Sequence, residues 1–130
     1  MARLMWTTVV LDCNDPSGLA TFWSSLLGGE VSRFSDDFYV VRSGSTWLAA
    51  QRIDSFEPPT WPGGDRPKQM HLDIAVDDLA AAVREALQLG ATQEEDQPSP
   101  ERWRVMRDPA GHLFCLSDHI QDYLPIDLDG

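Results

Sequence analysis

Long apolar runs are missing from this 130-residue chain, and nothing approaches the roughly 20 residues needed to cross a bilayer. The opening stretch "LMWTTVVLDCND" is strand-like and too short and polar for a signal or membrane segment, so the expectation is a cytoplasmic protein. Cysteine is nearly absent as well. Cys13 and Cys115 form no CxxC pair and read as reduced thiols rather than a disulfide. Positive charge is scarce: 10 Lys and Arg against 21 Asp and Glu leave a net charge of −11. That balance repels phosphate backbones and argues against nucleic acid and anionic membrane as partners. It mildly favours cationic ligands, although solubility alone accounts for an acidic surface. No G-x-S-x-G elbow and no glycine-rich phosphate loop occurs, and "SGS" at Ser43–Ser45 is a hairpin turn. What is present, 42% apolar and 24% charged residues, suits one soluble globular domain with a real core.

The chain is written twice. "DPSGLATFWSSLLGG" carries Leu19, Phe22, Trp23, Leu26 and Leu27 at the spacing of an amphipathic helix. Asp15 suits its N-cap, Pro16 its first turn and Gly28-Gly29 its stop. "DDLAAAVREALQLGA" repeats the design with Leu79, Ala82, Val83, Ala86 and Leu87, capped by Asp77 or Asp78 and ended by Gly90. An apolar strand precedes each helix, Thr7–Cys13 and Met70–Val76. The lag is 60 residues by the stripes (Leu19 to Leu79), 62 by the glycines (Gly28 to Gly90) and 63 by the caps (Asp15 to Asp78). Helical stripes tolerate slips of three or four, so caps and glycines are the better anchors.

Each helix is followed by β-rich text. The first half offers "EVSRF", "DFYVVR" and "TWLAAQRI"; the second offers a weak segment at Thr92–Glu95, then "RWRVMR" and "HLFCLSD" around the turn "DPAGH". "FEPPTWPGGDRPK" between the halves reads as a connector, because its prolines admit neither helix nor central strand. The expected fold is α+β, two tandem βαβββ modules forming a curled mixed sheet with a concave cleft and helices outside. Module one spans about 4–56, the connector about 57–67, module two about 68–118 and a tail 119–130. The tail packs Ile120, Tyr123 and Leu124 or frays.

These features, with "VDDLAAAV", "LGA", "PPTWP", "RPKQMHLD" and "WRVMRDPAGHLFCL" in order, resemble the vicinal oxygen chelate superfamily, and within it the small glyoxalase-like domains. The superfamily includes glyoxalase I, extradiol dioxygenases, fosfomycin-modifying enzymes and bleomycin-binding resistance proteins. The resemblance covers roughly residues 4 to 118. It implies ligands on the concave face and, in metal-using relatives, four donors from the first and last strands of each module, usually His, Gln or Glu. Such folds host unrelated activities, so function must be argued from the residues.

His71 matches the donor position on the first strand of module two. Its counterpart in module one is Thr8 by the cap register and falls within Val9–Leu11 by the others, none a good donor to a divalent metal. Cys115 stands where metal-using relatives carry Glu, and the last strand of module one offers Ala49 or Gln51. The best available metal set is His71, Cys115 and Gln51 with the fourth position empty, so the expectation is no functional metal. His71 otherwise reads as an ordinary cleft or core side chain, or as a hydrogen-bonding or general-base group with Asp73 two residues on. His112 belongs to the turn, His119 carries no signal, and Cys115 is by default an inert buried thiol.

Strand alternation puts Trp6 with Thr8 and Val10, Trp47 with Ala49 and Gln51, and His71 with Asp73 on common faces. With Trp103 these suggest an aromatic-walled site with a few polar groups, suited to a flat or cationic organic molecule. Large aromatics also fill cores and subunit interfaces. Trp23 belongs to the helix core, and Trp61 caps a cleft edge or closes a dimer contact. The expected ligand-binding set is Trp6, Thr8, Trp47, Gln51, His71, Asp73, Trp103 and Cys115. The expected function is a metal-free small-molecule binder acting by sequestration, sensing or resistance, as a homodimer. Against it stand a metal-dependent lyase, isomerase or dioxygenase with an atypical site around His71, and a metal-free enzyme using the His71–Asp73 pair.

Overall fold

The computed structural model describes residues 2–122, and Tyr123 and Leu124 lie outside them. The described chain divides between Glu57 and Pro58 into two compact units. In the first, β1 (Val9–Cys13) leads into α1 (Pro16–Leu27), followed by β2 (Glu30–Ser35), β3 (Phe38–Ser43) and β4 (Thr46–Arg52). In the second, β5 (Leu72–Ala75) leads into α2 (Leu79–Leu89), followed by β6 (Thr92–Gln93), β7 (Trp103–Arg107) and β8 (Leu113–Ser117). Both sheets are four-stranded and mixed, in the orders β1-β4-β3-β2 and β5-β8-β7-β6, with the first strand parallel to the last and the others antiparallel. The α+β, twice-βαβββ architecture expected from the sequence is present.

The helix ends follow their local chemistry. Asp15 accepts a hydrogen bond from the Gly18 amide at 3.1 Å, and Asp78, rather than Asp77, accepts one from Ala81 at 3.0 Å. Pro16 occupies the first helical position, where it has no amide to waste. Gly28 (φ 71°) and Gly90 (φ 115°) close the two helices in the left-handed region that a Cβ disfavours. Helix starts and strand starts both give a lag of 63 residues, Pro16 to Leu79 and Val9 to Leu72, so the cap register is the structural one. The glycines lag one fewer because α2 has 11 residues to the 12 of α1.

The first strands are shorter than expected. β1 begins at Val9 and β5 at Leu72, leaving Trp6, Thr8 and His71 just before the ladders. β8 itself begins only at Leu113, directly after the Gly111 turn, so Met70 has no strand opposite it. The Thr92–Glu95 segment keeps two strand residues, Thr92 and Gln93, plus a bond from the Glu94 amide to the Val105 carbonyl at 3.0 Å.

The connector belongs to the second unit rather than standing between two modules. A parallel bridge joins Thr60 to Pro67, with the Thr60 amide donating to the Arg66 carbonyl at 2.7 Å. Arg107 fastens this loop down. Its Nη1 donates to the carbonyls of Pro59 and Gly111, both at 2.8 Å, while its Nε pairs with Glu94. The neighbouring turn is built on buried Asp108, whose Oδ1 accepts from the Ala110 and His112 amides at 3.0 and 2.9 Å. At the end of the described chain Ile120 is buried and Asp122 pairs with Arg102 at 3.0 Å.

Candidate functional site

Side-chain alternation along β5 sends Leu72 and Ile74 to one face and Asp73, with His71 before it, to the other. The ladders then assemble the site. Asp73 stands opposite Cys115 on β8, and Cys115 stands opposite Val105 on β7. Trp103 lies two residues from Val105 on the same face. His71 Nε2 approaches Asp73 Oδ1 at 3.1 Å, and the donor atoms of His71, Asp73 and Cys115 lie within 4.8 Å of one another. Burial, reinforced by the adjacent Asp73 charge, pushes the Cys115 thiol up to about 11, so it stays protonated at neutral pH. A protonated thiol is a poor nucleophile.

These residues open on a cavity of about 400 Å³ in the second unit. Its walls come from Trp61, Trp103, Val105 and Pro98, its polar positions from Lys68, His71, Asp73 and Cys115. The Thr60–Pro67 bridge places Trp61 and Lys68, the next residue on each arm, side by side. Lys68 Nζ sits 4.7 Å from the Trp61 ring centroid. Trp61 is anchored in turn, its Nε1 donating to the Asp96 carbonyl at 2.9 Å.

Of the eight residues expected to bind a ligand, His71, Asp73, Trp103 and Cys115 come together here. The other four belong to the first unit. Trp6 and Trp47 meet edge-to-face with centroids 5.3 Å apart, and Arg42 stacks 5.3 Å over Trp47. Trp6 and Thr8 are not on β1, and Thr8 Oγ1 is buried without a hydrogen-bond partner among the described residues. Gln51 is exposed on β4. His71 is exposed rather than a core histidine.

Trp61, Lys68, Pro98 and Val105 lie outside the expected set, although the sequence offers Trp61 as a cleft edge or a dimer contact. Lys68 carried a usable signal: it is the only lysine in the chain, three residues before His71. Pro98 and Val105 carried none, since only the ladder and the loop fold bring them to the cavity.

The four-donor metal site of the metal-using relatives does not fit this chain. In the 63-residue register Thr8 is the counterpart of His71. The pair Val10–Ala49 in the first ladder matches Asp73–Cys115 in the second, which selects Ala49 over Gln51 as the counterpart of Cys115. A hydroxyl and a methyl do not replace imidazole and carboxylate. The expected trio also changes composition: the carboxylate of Asp73, not the amide of Gln51, accompanies His71 and Cys115.

The glyoxalase-like domain model matches residues 8–117. No curated protein matches the sequence. Among solved structures, the fosfomycin resistance protein FosX from Mesorhizobium loti is 15% identical with a TM-score of 0.67, over 97% of this chain and 100% of its own. A glyoxalase/bleomycin resistance protein/dioxygenase family enzyme from Burkholderia phytofirmans is 16% identical with a TM-score of 0.62, over 84% of this chain and 94% of its own. The bleomycin-binding protein of Streptomyces verticillus, solved with copper(II)-bleomycin, is 23% identical with a TM-score of 0.55, over 90% of this chain and 98% of its own. With each module built as βαβββ and the domain model covering both, the chain belongs to the glyoxalase-like domain family of the vicinal oxygen chelate superfamily.

Proposed function

We propose that this chain binds a small organic molecule in the second-unit cavity, between Trp61 and Trp103, and that it works by sequestration or sensing without a divalent metal. The observation that carries this reading is the cavity's make-up: about 400 Å³, mostly apolar wall, and four polar side chains. Small-molecule sites are of this size and composition. The hydroxyl and methyl at the Thr8 and Ala49 positions favour binding over metal chemistry. The Streptomyces verticillus relative binds copper(II)-bleomycin, which gives the fold a precedent for ligand capture.

The test is a thermal-shift screen of aromatic, cationic and dicarbonyl compounds, with any hit titrated against variants. Trp103→Ala should weaken a hit about tenfold or more, as expected for losing a packed aromatic wall. Trp47→Ala in the first unit should leave it unchanged. Equal affinity in wild type and Trp103→Ala sinks the proposal.

One observation favours a second reading. His71, Asp73 and Cys115 form a compact trio of metal-capable donors within a single module, and catalytic zinc sites work with three protein ligands. One equivalent of zinc, nickel, manganese or iron in the purified protein, lost in Asp73→Asn and Cys115→Ser, would make a metal-dependent enzyme the better account. We also propose a cytoplasmic homodimer. Leu4, Met5 and Phe34 are exposed apolar side chains of the first unit that an interface would cover, and light scattering gives the mass directly.

A further inference from the structure

Lys68, the single lysine of the chain, lines the cavity instead of lying on open surface. Its ammonium rests against the Trp61 ring, which attracts it through the negative face of the aromatic system. Stacking of this kind holds the charge in place without consuming its N–H donors. Among the described residues no carboxylate pairs with it. The cavity's one carboxylate, Asp73, faces His71 at 3.1 Å through one oxygen and also accepts from the Cys115 thiol, which leaves lone pairs of its two oxygens unused. The site thus offers a positioned cation with unused donors beside a carboxylate with acceptor capacity left.

This arrangement changes the ligand that the net charge suggests. A cationic ligand would seek an aromatic face, and the face of Trp61 is taken by a like charge. The chain's overall charge of −11 disfavours anions at long range, but salt screens that field beyond about 8 Å at physiological ionic strength. Contact with a fixed ammonium in a half-enclosed apolar site is screened far less. The local charge wins.

Resting on the binding reading above, we propose that the ligand is a planar organic acid. Its conjugated body packs against Trp103 and Val105, its carboxylate pairs with Lys68, and an amine or hydroxyl elsewhere on it donates to Asp73.

The test uses the full chain and four probes of one shape: benzoate, benzamide, benzylamine and 4-aminobenzoate, followed by tryptophan fluorescence. Benzoate should bind about tenfold tighter than benzamide, the usual gain from a charge-assisted hydrogen bond. Lys68→Met should remove that preference and Lys68→Arg should retain it. 4-Aminobenzoate should exceed benzoate, with the advantage lost in Asp73→Ala. Should Trp103→Ala weaken every probe while benzamide or benzylamine matches benzoate in wild type, the cavity stands and the acid class is overturned. A benzoate preference that survives Lys68→Met also overturns it. No fluorescence change with any probe removes the acid proposal and leaves the broader cavity reading to the thermal-shift screen.

Discussion

Helix α1 presents Leu19 and Trp23 to the first sheet, and at the same register positions α2 presents Ala82 and Ala86 to the second. The sheets compensate. Where the first unit has Val41, Leu48 and Ala50, the second has Met106, Phe114 and Leu116, matched position for position by their ladders. All ten side chains are buried. One architecture is therefore filled in reciprocal ways, with bulk on the helix in one unit and on the sheet in the other. Close packing demands a total volume in the layer and does not prescribe which element supplies it. The opposite sheet faces differ in chemistry. Thr8, Val10 and Ala49 stand where the second unit has His71, Asp73 and Cys115, and Phe38 stands where it has Trp103.

The comparison breaks most visibly at the bulk itself. Trp23→Ala should cost about 3–5 kcal/mol of stability by urea denaturation, and Phe114→Ala a similar amount in the other unit. A loss below about 1 kcal/mol at either site would mean that side chain is not filling its layer. Adding bulk where it is already supplied should hurt less: Ala86→Leu at a fully buried position is expected to cost about 1–3 kcal/mol through overpacking. Combining it with Leu116→Ala should recover part of that loss, and a strictly additive double variant would refute the reciprocal packing. Smaller still are the caps. Asp15→Ala and Asp78→Ala should each cost about 1 kcal/mol, and a marked inequality would show that the two helix starts are not equivalent.

The finest difference is read at one thiol. Cys115 in the folded chain titrates at about 11, whereas an unfolded cysteine titrates near ~8.5. Between those values the unfolded chain gives up a proton that the native state keeps. The thiol's contribution to stability is thus fully present below pH ~8.5 and is lost as the pH rises toward 11. Alkylation of Cys115, separated from buried Cys13 by peptide mapping, should still be accelerating well above pH ~8.5, where an ordinary thiol levels off. Asp73→Asn should shift that curve to lower pH, because the Asp73 charge contributes to the rise.

Some of this was readable from residues alone. Asp15 with Pro16, Asp78, and the glycines at 28 and 90 announced both helices within a residue. The alternation at His71 and Asp73 placed that pair on one face. The lag stayed open between 60 and 63 residues until the strand starts resolved it, because a helical stripe repeats too closely to fix a register. Sequence alone leaves Ala49 and Gln51 as alternatives because unequal loop lengths hide the ladder. Apolar alternation extends the first strand to Thr7, whereas its ladder begins only at Val9.

Caps, turn residues and apolar periodicity act over a few positions, so the amino-acid order alone was enough to yield two βαβββ repeats and a family. The site is nonlocal. Asp73 meets Cys115 through a parallel ladder, and Trp61 and Lys68 reach the cavity because a proline-rich loop closes on itself and is tied down by Arg107. Contacts between positions 42 and 48 residues apart, as for Asp73 with Cys115 and Pro59 with Arg107, depend on register and loop closure, and those emerge only when the whole unit is packed.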